Sequence, residues 1–204
     1  MQKLFTIHSS MNKFIFILLI TSFSFPIQIP LNVDTNWEAL QAKAVVIQWQ
    51  KYDGFPFCRA TKKISAPMEK ITQLLEDKEN YYKIFDRIEY SKPLTPEIIH
   101  IKLDMPFPFS GRDYIVKYTK NNIENDFIYS FKATTEIEIS IDEDYIRLVN
   151  ASGAWILHPI DTHTTELTYM WNGELLGDFP NWALTRAWIE QGNEVITWIE
   201  DALQ

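Results

Sequence analysis

Apolar and polar residues alternate along most of this chain, and that alternation predicts strands. Phe127, Tyr129, Phe131 and Ala133 occupy every second position, as do Leu167, Tyr169 and Trp171. Period-two spacing puts each set on one face of its strand. Comparable runs cover residues 45–50, 55–64, 87–91, 98–105, 111–119 and 127–135, with further strands at Tyr145, Ala154 and Thr165. The short connections make the pairing mostly antiparallel. Asp53-Gly54 is a hairpin turn signal, and residues 121–126 form a polar turn. Met105-Pro106-Phe107-Pro108-Phe109 fits no regular element, because two prolines remove donors and fix φ.

Helical spacing appears in four places. Residues 32–43 predict a short helix capped by Asp34 or Thr35, with Trp37 and Leu40 on one face. Ser65 caps a second, in which Met68, Ile71, Leu74 and Leu75 form an apolar stripe. Residues 78–85 predict a short helix or irregular turn that groups Tyr81, Tyr82, Ile84 and Phe85. The longest segment ends the chain. Trp182, Leu184, Trp188, Ile189, Val195, Ile196, Ile199 and Leu203 recur on one side, while Glu190, Asn193, Glu194 and Glu200 take the other. Asp178 or Asn181 caps it. Gly192 sits mid-helix, where it costs about 1 kcal/mol relative to Ala, and it marks a close approach to the sheet or a bend. Many strands followed by one long helix make the fold class α+β.

The 204 residues suit one domain preceded by a targeting segment. Lys13 and the apolar run Phe14 to Ile20, with Ser22 and Ser24 at the spacing of a cleavage site, predict a signal peptide over residues 1–24 and a folded domain over 32–204. The expected location is outside the cytoplasm, periplasmic or secreted. Removing Lys3 and Lys13 would take the net charge from −8 to −10. So acidic a body is a poor binder of nucleic acid or of an anionic membrane. Cys58 is the single cysteine, so no internal disulfide forms, and it is expected to be a buried small hydrophobe. His100, His158 and His163 lack metal-ligand spacing, so neither metal nor cofactor is expected. His158 is expected to be a satisfied structural histidine. The acidic residues Glu136, Glu138, Asp142, Glu143 and Asp144 are expected on a solvated edge.

Three motifs now carry a resemblance. Met105-Pro106-Phe107-Pro108 followed by Gly111-Arg112-Asp113-Tyr114 resembles a segment of START domains, the steroidogenic-acute-regulatory-related lipid-transfer domains of the SRPBCC superfamily. Ala154-Trp155-Ile156-Leu157-His158-Pro159 with Thr165-Glu166-Leu167-Thr168-Tyr169 is similar to their late strands. Gly177-Asp178-Phe179-Pro180-Asn181-Trp182 resembles the approach to their last helix. The order and spacing agree over roughly residues 35–204. The resemblance implies a helix-grip fold, in which a curved antiparallel sheet wraps the C-terminal helix round a hydrophobic cavity. It also implies binding, and in some members transfer, of a lipid or other apolar small molecule without chemistry.

The candidate ligand-binding residues are Asp104, Arg112, Tyr114, Tyr129, Phe131, Trp155, Tyr169, Trp171, Trp182 and Trp188. Plain core packing is the competing reading for the apolar ones, since cavity and core residues look alike in sequence. Arg112 and Asp113 point to opposite strand faces, and an inward Arg112 is expected to pair with Asp104. The loop 106–110 and the stretch 174–181 are candidate gates. The expected partner is an apolar small molecule, with transient membrane contact and a monomeric state. The sequence holds no recognisable catalytic set. The alternative is a cyclase-like or hydrolase-like helix-grip enzyme using Asp104, Tyr129, Tyr169 or His100.

Overall fold

Ten strands and three helices account for most of the described residues, 27–31 and 36–204, of a computed structural model. The strands are β1 (Glu38–Ala42), β2 (Val46–Tyr52), β3 (Phe55–Ile64), β4 (Ile88–Pro93), β5 (Ile98–Leu103), β6 (Gly111–Ile123), β7 (Asp126–Ala133), β8 (Tyr145–Arg147), β9 (Ser152–Asp161) and β10 (Thr164–Asn172). The helices are α1 (Met68–Glu76), α2 (Tyr81–Ile84) and α3 (Leu184–Ala202). The predicted signal segment lies outside the described residues.

Nine strands form one continuous sheet in the order β1-β2-β3-β10-β9-β7-β6-β5-β4. Every pairing on that path is antiparallel, as short connections require. β8 lies off the path and runs parallel to the start of β6. Period-two alternation then decides which side chains face the concave side. Trp155 and Leu157 of β9, Leu167, Tyr169 and Trp171 of β10, and Tyr118 and Val116 of β6 share a core with α3. Ile71 and Leu75 of α1 and Tyr81 of α2 join the same core.

α3 lies across the concave side and buries Trp188, Gly192, Val195, Ile196 and Ile199. Gly192 is explained by close approach. A Cβ there would stand 3.0 Å from Ile47 Cδ1 and 3.2 Å from Ala60 Cβ, so a side chain would crowd β2 and β3 and force its neighbours to give.

Several expectations need correction. Residues 38–42 are the edge strand β1 and not a helix. Asn36 has φ of 82°, a left-handed conformation that a helix cannot pass through. Gln41 then bonds the Val45 carbonyl and Asn193, holding the edge against α3. Residues 32–35 lie outside the described part. Ser65 does not cap α1, which starts after Pro67 with no side-chain cap. Neither Asp178 nor Asn181 caps α3, whose first turn follows a 3-10 turn at Asn181–Ala183. The 121–126 turn narrows to Glu124 and Asn125, because β6 runs on to Ile123.

Gly192→Leu is expected to lower stability by about 1–3 kcal/mol through overpacking. Thr185→Leu, at an exposed position of the same helix, should stay within about 0.5 kcal/mol of the parent. Urea denaturation followed by Trp fluorescence checks both.

Candidate functional site: an aromatic cavity under the C-terminal helix

The curved sheet and α3 do not meet along their whole length. Between them lies a cavity of about 440 Å³, within the range of small-molecule sites. One wall is a ladder of stacked rings. Phe85 lies on Trp155 at 6.0 Å between centroids, Trp155 on Tyr169 at 4.4 Å, and Tyr169 on Trp171 at 4.8 Å. The strand register builds this ladder, since Trp155 and Tyr169 are directly opposed across β9 and β10 and Trp171 follows two residues on. Tyr114, Tyr118 and Phe131 contribute from β6 and β7. α3 presents Ala187, Gln191, Val195 and Trp198. Ala187 leaves room that a larger residue would occupy.

The wall holds neutral groups. Burial pushes the Tyr114 and Tyr118 hydroxyls well above the usual phenol range, and burial likewise raises Tyr169. Charge is confined to paired or rim positions. Arg87 donates from Nε and Nη2 to the two carboxylate oxygens of Glu194, both at 2.7 Å. Those hydrogen bonds hold its guanidinium above its ordinary range. The pair ties the start of β4 to α3 beside the opening. Among the described residues, no three His, Cys, Asp or Glu side chains are grouped to hold a metal ion.

Arg112 has a different role from the one expected of it. Its side chain is fully buried, yet it does not line the cavity and does not pair with Asp104. Nε donates to the Leu175 carbonyl at 2.6 Å, and Nη2 to the Leu176 carbonyl at 3.1 Å and to Asp178 Oδ1 at 3.0 Å. Nη1 donates to the Ser110 carbonyl. Asp178 Oδ2 in turn accepts from the Ser110 amide at 2.9 Å. Phe109 packs on Phe179 at 4.7 Å. Arg112 therefore clamps together the two loops named as gates, and both loops contribute to the cavity lining.

Of the ten candidates, Asp104, Tyr114, Phe131, Trp155, Tyr169, Trp171 and Trp182 line the cavity. Arg112, Tyr129 and Trp188 stand off it. Tyr129 stacks on Tyr118 at 4.5 Å, and its hydroxyl accepts from Lys78. Trp188 stacks on Trp49 at 5.4 Å and donates to the Gly173 carbonyl. Trp182 is 86 % exposed and stands at the mouth, not on the buried stripe of α3. Phe85, Val195 and Trp198 were not singled out as site residues, although the first belongs to the aromatic group flagged at residues 78–85.

Asp113 is buried as fully as Arg112, on the opposite face of β6. It accepts from His100 at 2.8 Å and from Arg147 at 2.8 Å. Burial pushes its carboxyl up, but the Arg147 and His100 bonds outweigh that and leave it below the usual range. The network straps β8 and its flanking loop over the outer face.

The clamp predicts a pH response. The Ser110 amide, reinforced by Arg112, holds the Asp178 carboxyl below its ordinary range. A depressed folded value means the contribution is complete above the unfolded value of about 3.9 and is lost as pH falls through the folded one. Hydrogen exchange of residues 174–181, taken relative to the intrinsic rate at each pH, should therefore hold steady from neutral pH down to that range and rise below it. Arg112→Leu should raise it at neutral pH; unchanged exchange in that variant would remove the clamp.

Comparison with known proteins bears on the fold. No protein-family model matches the chain. An uncharacterized protein of Pseudomonas aeruginosa, PA1579, is 27% identical over 140 residues, 67% of this chain and 68% of its own length. A crystal structure of a STAR-related lipid transfer protein from Xanthomonas axonopodis superposes with a TM-score of 0.71 at 17% identity, covering 82% of this chain and 98% of that one. Human STARD10 gives 0.74 at 14% identity over 84% of this chain and 74% of its own. The Zhui aromatase/cyclase of Streptomyces gives 0.52 at 16% identity, over 72% and 92%. With its curved antiparallel sheet gripping a long C-terminal helix, this chain has the helix-grip fold of these START-like structures.

Proposed function

We propose that this protein binds a lipid or another apolar small molecule between α3 and the aromatic ladder, and holds or transfers it without chemistry. The observation that carries the reading is the cavity of about 440 Å³ walled by stacked rings. Each Å² of apolar ligand surface moved there from water is worth about 25 cal/mol. Neighbours in fold named as lipid transfer proteins support the same reading. Export to the periplasm or beyond, from the N-terminal apolar run, belongs to the proposal, and N-terminal sequencing of the native protein tests it.

Exchange happens at the mouth, beside a membrane. Phe107, on one clamped loop, is 98 % exposed, and Trp182, in the 3-10 turn that follows the other, is 86 % exposed. Exposed aromatic side chains suit a membrane interface. The cavity's charged residues are four acids and two arginines, so the surface favoured is neutral or zwitterionic rather than anionic.

Solvent extraction and mass spectrometry of the purified protein should recover an apolar molecule. Ala187→Trp, which fills the cavity from α3, should cut the amount retained at least about tenfold, equivalent to about 1.4 kcal/mol. Recovery of nothing apolar, with no binding across a lipid panel, would defeat the reading. Phe107→Ser, outside the cavity lining, should slow transfer to phosphatidylcholine vesicles while leaving the amount held at equilibrium unchanged. Equal transfer rates would remove the membrane step.

A further inference from the structure

Two polar groups in the cavity wall have no partner. The indole nitrogens of Trp155 and Trp171 are the buried side-chain polar atoms without a hydrogen bond among the described residues. Both side chains are more than nine-tenths buried, and both line the cavity. Other indoles in the fold are satisfied: Trp49 donates to Glu38, Trp188 to the Gly173 carbonyl and Trp198 to Asp86. A buried donor left alone is costly, and it calls for an explanation. That the two exceptions share one wall points to something that site receives.

A third donor lies between them. Tyr169 stacks on both indoles. Its hydroxyl accepts a 3.4 Å bond from Gln191, and burial keeps its proton in place. The three stacked rings therefore carry two N–H groups and one O–H, with both N–H groups covered by neighbouring atoms in this structure. Such a row matches an acceptor oxygen.

Charge decides what kind. The lining cations are Arg87, engaged by Glu194, and Arg186, which is exposed. Asp104, Glu174, Glu190 and Glu194 also line the cavity. A carboxylate or phosphate placed against the ladder would be desolvated without a counter-ion and would face those acids. A hydrocarbon would leave the donors unpaired. A neutral carbonyl avoids both costs.

Resting on the cavity being a binding site for an apolar molecule, we infer that its ligand carries a neutral acceptor oxygen, the carbonyl of an ester, ketone or quinone, seated on the Trp155–Tyr169–Trp171 wall. Both indole nitrogens are covered by neighbouring atoms here. An oxygen can reach them only if the rings turn and uncover them as the ligand enters.

The test is competition against a bound fluorescent apolar probe, using the full chain. The competitors are hexadecane, palmitic acid, methyl palmitate and a prenylated benzoquinone. Methyl palmitate should bind about tenfold more tightly than hexadecane for each hydrogen bond made, and ionised palmitate should bind more weakly than its ester. Trp155→Phe and Trp171→Phe keep a ring in the ladder and remove the N–H, and should pull the ester-to-alkane ratio toward one. That ratio cancels a general packing defect. Preference for the ester over the quinone assigns the carbonyl to an acyl lipid, and the reverse assigns it to a ring ketone. In the parent protein, the two indole N–H signals in nitrogen-15 NMR should shift with the ester and not with the alkane. Equal binding of ester and alkane, or indole signals indifferent to every probe, would overturn the inference and leave bound water as the acceptor. No binding of any competitor or of the probe would overturn the cavity reading itself.

Discussion

A sheet curved round a single helix encloses more volume than that helix can fill, and the rest of this structure follows from the mismatch. The backbone of α3 comes close to the sheet at Gly192. Gly192 lets the helix come within van der Waals contact of Ile47 and Ala60 on β2 and β3. One contact this tight fixes the helix at that side and leaves a gap further along, under Ala187 and Gln191. Well-packed interiors tolerate few voids. An opening of this size therefore has to be kept by rigid walls, and stacked rings with few rotatable bonds provide them.

Two ionic devices hold the mouth of that opening, and they work by different physics. Arg87 and Glu194 form a two-pronged pair at the surface of α3, where planar geometry gives orientation. Arg112 is buried, and burying a guanidinium is expensive unless its donors are used. Here four carbonyls and the Asp178 carboxylate use them. A group that must satisfy so many backbone acceptors fixes the loops that carry them. The charge near the cavity thus serves to shape the doorway, and the hollow itself is left to neutral donors and rings.

Much of this was legible in the sequence, and the failures have physical causes. Alternation located β3 and β7 and the rows Phe127–Tyr129–Phe131 and Leu167–Tyr169–Trp171, because period two is insensitive to context. The helix expected near Trp37 failed because edge pairing and the left-handed Asn36 override helical spacing. Capping failed at Asp178 because a carboxylate able to cap a helix was drawn to the buried Arg112. Arg112 and Asp113 were expected to divide into one inward and one outward residue. Both are buried, because the strap through β8 covers the outer face as well. Such coverage comes from segments far apart in the chain, which no local pattern encodes. For the same reason Tyr129 and Trp188 could not be separated from the true lining residues: strand parity tells which face a residue takes, not how far along that face the gap begins.

The central claim is that the space between α3 and the ladder is held open for a guest. Its most direct test is a crystal structure of the natively purified protein, with no lipid removed. The account predicts elongated density lying along Trp155, Tyr169 and Trp171 beneath Ala187, with those rings still stacked. Rings and Gln191 turned inward to fill the hollow, with no space left between helix and sheet, would contradict it.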